Sequence, residues 1–551
     1  MSALLEIDDL HVRLPRGADR EEALAGVTLS LVPGEILCVV GESGSGKSML
    51  ANAIMRLLPA GVEATRGRIS LGGRDLLRMS EAEMRRVRGA AIGMIFQEPM
   101  TALNPLRRAG DQVAEMFRVH TDFSTRQIRE RVLALFAEVR LPDPEAALQA
   151  YAHELSGGQR QRVMIAMALA LQPAILIADE PTTALDVTTQ ARILDLIRDI
   201  QRRRGMAILF ITHDFGVVAE IADRVVVMRA GELVEEGAAD RVLNQPQAPY
   251  TRALIAAVPP LLPRPPRQAG GAPILSLVGV SKTYRSGGLF SRRLRRVTPA
   301  VREVSLDLPK GTTLGIVGES GSGKSTLARC IVRLLDPDGG NILLGDTDLA
   351  ALSRRAMRRQ SRRVQMVFQD PFASLNPRRR AGELVAQGPM LHGMKRDAAL
   401  AKARDLFALV GLDPSAVDRF PHEFSGGQRQ RIGLARALAL EPDLLIADEP
   451  VSALDVSVQA QVLALLDELR DRLGLSMLFI THDLRVAAKV CDRIAVMKDG
   501  ALIEVGATAD VFRAPQHDYT RALLDAVPGR DWSRRRESAI LSAIPTAIPA
   551  R

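Results

Sequence analysis

The chain has 551 residues, of which 47% are hydrophobic and 25% charged. That is longer than one ordinary domain and apolar enough for packed cores. Formal net charge is +9, but aromatics are only 3%, which argues against a nucleic-acid surface built from basic clusters and stacking rings. Arginine clusters at Arg292–Arg296, Arg354–Arg363, Arg378–Arg380 and Arg534–Arg536 read instead as solvated faces, or as attraction to an anionic membrane surface. Three scattered cysteines, Cys38, Cys330 and Cys491, fit neither a disulfide framework nor a cysteine metal cluster.

The first residues, Met1 to Asp9, include Glu6, Asp8 and Asp9 without a basic start, so no secretory leader is expected there. An apolar run, Ile36 to Val40, then leads into Gly41-Glu42-Ser43-Gly44-Ser45-Gly46-Lys47-Ser48, and a helical pattern covers Met49 to Leu58. This strand, loop and helix fit G-x-x-x-x-G-K-[ST] without a mismatch. The glycines let successive N–H groups curl around a phosphate, and the helix adds its positive end. Lys47 is placed to reach the terminal phosphates and Ser48 to hold Mg²⁺. A helix-rich stretch without strand runs, Asp111–Ala150, predicts an inserted helical lobe.

Ser156-Gly157-Gly158-Gln159 opens the next helix, expected to run to Leu171. A serine N-cap followed by two glycines forms a second anion site at a positive helix end. The stretch Val163 to Ala178 is the nearest approach to a membrane span, but Gln172 and Pro173 break it into helix, turn and strand. That strand ends in Asp179 and Glu180. Two acids at the end of an apolar strand are costly without a cation or a reacting water. Near a phosphate loop, the first suits Mg²⁺ and the second a water awaiting deprotonation. Thr189–Arg203 and Phe215–Ile221 read as helices, and Ala207–Ile211 and Arg224–Met228 as strands. Thr212-His213-Asp214 aims a polar group at the terminal phosphate. The alternation predicts a largely parallel sheet flanked by helices.

The whole set then recurs. The phosphate loop returns at Gly318–Ser325, with Lys324 and Ser325 in the matching roles, after Leu314–Val317. Phe96-Gln97 returns as Phe368-Gln369, Ser156–Gln159 as Ser425–Gln428, Asp179-Glu180 as Asp448-Glu449, and His213 as His482. Two homologous domains in tandem follow. The first is expected over 1–262 and the second over 274–528, with a stiff proline-rich linker at 263–273. The five prolines of Pro259–Pro266 begin that stiffness. The remaining 529–551 read as a basic, poorly ordered tail.

These ordered, duplicated motifs resemble those of the ABC ATPases over nearly the whole chain. The resemblance implies an α/β fold of two ABC-type P-loop NTPase domains, each with a mainly parallel sheet core, an antiparallel β subdomain and a helical lobe. It implies ATP held by Gly41, Ser43, Gly44, Gly46, Lys47, Ser48 and Gln97 in the first copy. Gly318, Ser320, Gly321, Gly323, Lys324, Ser325, Thr326 and Gln369 do the same in the second. The signature residues Ser156, Gly158 and Gln159, and Ser425, Gly427 and Gln428, would each complete the other copy's site in a head-to-tail sandwich. Mg²⁺ would be held by Ser48, Gln97 and Asp179, and by Ser325, Gln369 and Asp448. Glu180 and Glu449 would polarise water with His213 and His482, while Asp186 and Asp455 would connect the two sites.

A finer resemblance is to the peptide and nickel importer branch. It rests on Gln97-Glu98-Pro99-Met100-Thr101-Ala102-Leu103-Asn104-Pro105 and Gln369-Asp370-Pro371-Phe372-Ala373-Ser374-Leu375-Asn376-Pro377. It rests also on the copy ends, Pro246–Leu254 and Pro515–Leu523, which share Y-T-R-A-L. This implies two transmembrane permeases, a periplasmic or extracellular solute-binding protein, and a peripheral place on the cytoplasmic face of the bacterial inner membrane. The implied solutes are short peptides or peptide-like compounds, with nickel or another non-peptide solute as the alternative in the same branch. A soluble tandem ATPase acting on ribosomes would carry a long charged helical linker, and this linker is short. Two departures stand out. The family stacks an aromatic residue on adenine; Tyr284 supplies one in the second copy, whereas the first has Leu14. Some relatives carry an iron–sulfur cluster after the copy end; Pro259–Pro273 contains no cysteine, so none is expected.

Overall fold

The computed structural model describes residues 3–97, 102–183, 185–265, 267, 272–286, 296–370, 374–452 and 454–543. The chain divides into two compact units, the first including Met1–Leu185 and Thr189–Val258, the second Pro259–Val527.

In the first unit, Ile36–Val40, Ile175–Asp179 and Ala207–Ile211 are buried at every residue. Continuous burial without alternation is what a parallel sheet covered on both faces requires. Six strands run in the order Glu232–Ala238, Arg224–Arg229, Ile36–Val40, Ala207–Ile211, Ile175–Asp179, Ile92–Ile95. All neighbours are parallel except the edge strand Glu232–Ala238. A second sheet, order Glu22–Leu31, Leu5–Arg13, Glu63–Leu71, Arg74–Asp75, is antiparallel. Leu5, Ile7, Leu10 and Val12 turn inward from its central strand, the alternation of a sheet with one solvated face. The lobe is helical as expected: Ala109–His120 and Thr125–Glu138 pack with Gly157–Leu169, and Pro144–Gln149 packs on the first two. Its helices are well started, with Ser124 and Gln127 forming a capping box and Asp143 capping a helix whose first residue is Pro144.

The second unit repeats the plan. The core sheet runs Val364–Val367, Leu444–Asp448, Ser476–Thr481, Thr313–Val317, Arg493–Lys498, Ala501–Ala507, with only the last pair antiparallel. The antiparallel sheet is Arg296–Pro309, Pro273–Ser286, Gly339–Leu344, Thr347–Asp348. The lobe holds Ala381–Leu391, Arg396–Leu409 and Gly426–Leu438.

Several details differ from expectation. The helix after the first phosphate loop is Lys47–Met55 and stops short of Leu58, because Arg56 turns left-handed (φ 50°) and its N–H closes back on Ala53 and Asn52. The start of the expected linker makes polar contacts within the second unit. Arg264 bonds Asp467 (3.0 Å) and the buried Asp492 (3.2 Å), and Arg267 bonds Asp471. The tail is also not wholly irregular: Arg530–Ala543 is helical and Trp532 is buried. Burying the chain's one tryptophan stabilises order that a basic composition hid. The arginines of the Arg354–Gln360 helix are exposed, as a solvated face predicts, and all three cysteines are buried. No helix among the described residues is long and apolar enough to cross a membrane. Glu98–Thr101 and Pro371–Ala373 of the importer-like segments, most of Arg292–Arg296 and the end of the tail lie outside the described residues.

Candidate active sites at the two phosphate loops

Strand order brings the chemistry together. Ile36–Val40 lies inside the first core sheet, beside Ala207–Ile211, with Ile175–Asp179 one strand further. Their carboxyl ends therefore deliver the phosphate loop, His213 and the Asp179-Glu180 pair to one edge, the usual ligand edge of such sheets. In the second unit Thr313–Val317, Ser476–Thr481 and Leu444–Asp448 do the same.

Both loops are shaped for an anion. Gly46 and Gly323 hold left-handed φ (105° and 103°), and a Cβ there would meet the carbonyls of Ala23 and Ala300 at 2.7 and 2.1 Å. Only glycine fits so close a backbone approach. Lys47 Nζ donates to the carbonyls of Gly41 and Glu42, both at 2.8 Å. Lys324 Nζ donates to Gly318 (2.8 Å) and Glu319 (2.7 Å). Burial lowers the Lys324 pKa, opposed by Glu449 and Asp448.

The predicted metal-binding residues are partly assembled. Ser48 Oγ donates to Asp179 Oδ1 at 3.1 Å, and Ser325 Oγ to Asp448 Oδ1 at 2.9 Å. Both aspartates are buried, and burial pushes Asp179 up to about 6 and Asp448 in the same direction. A buried carboxylate beside a hydroxyl is a small all-oxygen pair that would suit Mg²⁺. Gln97 Nε2 donates to Glu180 Oε2 at 3.2 Å and Gln369 Nε2 to Glu449 Oε2 at 2.7 Å. In both units the glutamine is thus joined to the candidate base.

Each glutamate is held from several sides. Glu180 Oε1 lies 3.1 Å from His213 Nδ1, and Thr183 Oγ1 donates to Glu180 Oε2 at 2.9 Å. Glu449 Oε2 lies 3.2 Å from His482 Nδ1, and Ser452 donates instead to the Glu449 carbonyl. Burial alone would raise the glutamate pKa, but the histidine outweighs it and both carboxyls fall below their ordinary range. Burial would lower the histidines, but the glutamates outweigh it and raise both. Each partner therefore favours the other's charged form.

Sequence reasoning did not find that Glu180 and Glu449 are left-handed, at φ 48° and 47°. Such a backbone costs a non-glycine residue about 1–2 kcal/mol and recurs at functional sites. The cause is visible: Glu180 N–H donates to the Ile211 carbonyl and Glu449 N–H to that of Ile480, both at 2.9 Å. The chain must turn sharply there to leave the sheet.

The signature segments start helices as expected. Ser156 and Gln159, and Ser425 and Gln428, close capping boxes on each other. The boxes leave the N–H groups of Gly157, Gly158, Gly426 and Gly427 outside them. A Cβ on Gly158 or Gly427 would meet Thr189 or Val458 side chains at 2.6 and 2.2 Å. Asp455 caps the helix Val456–Leu473, and Asp186 accepts from Thr188. Tyr284 is 40% exposed and its hydroxyl lies 3.3 Å from Thr326 Oγ1, whereas Leu14 packs against the first unit's core. Three further contacts went unread. Arg20 donates to the Gly44 carbonyl at 2.5 Å, and Tyr250 and Tyr519 reach the loop glutamates Glu42 and Glu319. The repeated Y-T-R ending was a signal for the tyrosines; Arg20 has none.

Comparison with known proteins agrees with this picture. A family model described as ABC transporter matches residues 24–183 and 301–452. One described as oligopeptide/dipeptide transporter, C-terminal region, matches 234–291 and 503–548. The glutathione import ATP-binding protein GsiA of Escherichia coli strain K12 is 46% identical over 572 residues, covering 98% of this chain and 92% of its own. GsiA of Shigella flexneri gives the same figures. GsiA of Salmonella paratyphi A is 46% identical over 583 residues, covering 100% and 93%.

Proposed function

Because the chain belongs to the ABC transporter family, we propose that it is the ATP-binding and hydrolysing subunit of an importer. It couples ATP hydrolysis to uptake of short peptides or peptide-like compounds through two permeases, supplied by a solute-binding protein. In this reading it works on the cytoplasmic face of the bacterial inner membrane, held there by the permeases. The observation that supports it most is the duplicated constellation of loop lysine, serine–aspartate pair and glutamate–histidine pair. The copy ends matching the oligopeptide/dipeptide transporter region point to the solute class. Relatives named for glutathione import make glutathione the first solute to test.

The geometry supports these roles. Ser48 with Asp179, and Ser325 with Asp448, would hold Mg²⁺, which would supply positive charge to offset that of the phosphates. Lys47 and Lys324 turn from loop carbonyls to phosphate oxygens. Glu180 and Glu449, kept ionised, accept a proton from water as His213 and His482 fix their orientation. Gln97 and Gln369, bonded to these glutamates, report on the site to the permeases. On the family pattern, each loop shares its nucleotide with the other copy's signature.

The test is deletion of the gene and measurement of uptake of labelled glutathione and a short-peptide panel. The reading expects at least one of these to be lost and to return with the wild-type gene. Intact uptake of all of them, with loss of nickel or another non-peptide solute, would overturn the solute class and leave the ATPase reading standing.

A further inference from the structure

Each unit carries a connection between its C-terminal helix and its phosphate loop that the functional reading does not use. Glu235 on the edge strand accepts the N–H groups of Gln247 (2.8 Å) and Ala248 (3.1 Å), just before the helix Pro249–Ala257. That carboxylate fixes where the helix starts. The helix then lays Tyr250 against the loop, 208 residues away in sequence. Tyr250 Oη accepts from Glu42 N–H at 3.4 Å and donates to Glu42 Oε2 at 3.1 Å. The Arg229 guanidinium sits 4.9 Å from the centre of the tyrosine ring, within range of a cation–π contact.

The second unit repeats the anchoring carboxylate, the contact from the loop N–H and the cation on the ring. Glu504 accepts from Gln516 (2.8 Å) and His517 (3.2 Å) before the helix Asp518–Asp525. Tyr519 Oη accepts from Glu319 N–H at 3.2 Å, and Lys498 Nζ lies 4.8 Å from the ring centre.

The peptide gripped is what matters. The N–H of Glu42 and the carbonyl of Gly41 belong to one planar unit. The tyrosine holds its N–H end and Lys47 Nζ holds its oxygen. In the second unit Tyr519 and Lys324 hold the Gly318–Glu319 peptide in the same way. This peptide opens the cradle, and the lysine must leave its oxygen to reach a phosphate.

We propose that Tyr250 and Tyr519 are positioning residues for ATP: each fixes the first peptide of its phosphate loop, so that the cradle and its lysine are set before nucleotide arrives. The effect is on ground-state binding, since the tyrosines touch no reacting atom. It makes the C-terminal helix of each copy a handle on that copy's nucleotide affinity. A preformed loop spares the ligand the cost of ordering it.

This inference rests on the ATPase reading, and the experiment separates the two. Full-length wild type and the Tyr250→Phe/Tyr519→Phe double variant are compared for ATP KM, kcat, and melting temperature with and without Mg·ATP. Phenylalanine keeps the ring and its cation contact and removes only the hydroxyl. The expected result is a KM raised about two- to tenfold, the range one hydrogen bond commands, with kcat within twofold and a smaller stabilisation by Mg·ATP. An unchanged KM, or a lower melting temperature with unchanged nucleotide-induced stabilisation, would make the tyrosines merely structural and overturn the proposal. Should the double variant fail to fold, 3-fluorotyrosine at the same positions keeps the shape and weakens the hydroxyl as an acceptor. A raised KM again supports the proposal and an unchanged KM overturns it. A wild-type chain that neither binds nor hydrolyses ATP would instead sink the ATPase reading itself.

Discussion

His213 Nδ1 lies 3.1 Å from Glu180 Oε1, and each group favours the other's charged form against the burial that opposes both. The same pair recurs as His482 and Glu449 at 3.2 Å. Two copies with one geometry imply two working sites. Glu449→Gln is expected to slow ATP turnover by about 10²-fold or more, because positioned bases contribute roughly 10²–10⁴, while ATP still binds. Glu180→Gln should be impaired as severely. Steady-state hydrolysis checks both, and near-normal rates in Glu180→Gln would leave only one working site.

The pair also predicts a pH dependence of stability. Each histidine has its folded pKa raised above the unfolded value, which is about 6.5. Its contribution is therefore complete below about pH 6.5 and is lost as pH rises through the folded value. Denaturant titrations of wild type and His213→Gln/His482→Gln should differ most at the acid end of that window and converge as pH rises. A constant difference would mean the histidines act through packing alone.

The left-handed backbone at the two glutamates separates glycine from alanine. Both Glu449→Gly and Glu449→Ala remove the base and should be inactive. The glycine variant should nevertheless be more stable by about 1 kcal/mol, since it adopts φ 47° without steric cost. Equal stabilities would argue that this backbone relaxes once the side chain is gone.

How much of this was readable depends on how local each feature is. The phosphate loops, the strand-end acids and the helical lobe announce themselves through contiguous residues and periodicity. The φ of Glu180 does not, because it is imposed by a hydrogen bond to Ile211 on a neighbouring strand. Gln97 pointed to the site but not to Glu180, 83 residues away. The Y-T-R ending showed only that something was repeated; the loop peptide it grips is some 200 residues earlier. The tail misled for another reason: its arginines outnumber its apolar residues locally, yet Trp532 is buried.

The two units should differ in adenine affinity. Tyr284 offers an exposed ring beside Thr326, while Leu14 is partly buried against the core. By analogy with aromatic pairs, stacking contributes about 0.5–1.5 kcal/mol. Leu14→Tyr should tighten binding at the first copy's loop by a corresponding amount, measured with a fluorescent ATP analogue in a chain whose second loop is disabled by Lys324→Ala. Unchanged affinity would show that another group, with Arg20 on Gly44 the nearest candidate, supplies the contact.

The central claim is that ATP hydrolysis here drives uptake of a peptide-like solute. It is tested most directly by purifying the chain with the permeases that co-purify with it, reconstituting them in vesicles, and adding a candidate solute-binding protein with labelled glutathione and short peptides. The account predicts ATP-dependent accumulation of at least one of these, abolished by Glu180→Gln/Glu449→Gln. ATP hydrolysis without accumulation of any peptide-like solute, or stable binding to ribosomes with no permease partner, would contradict it.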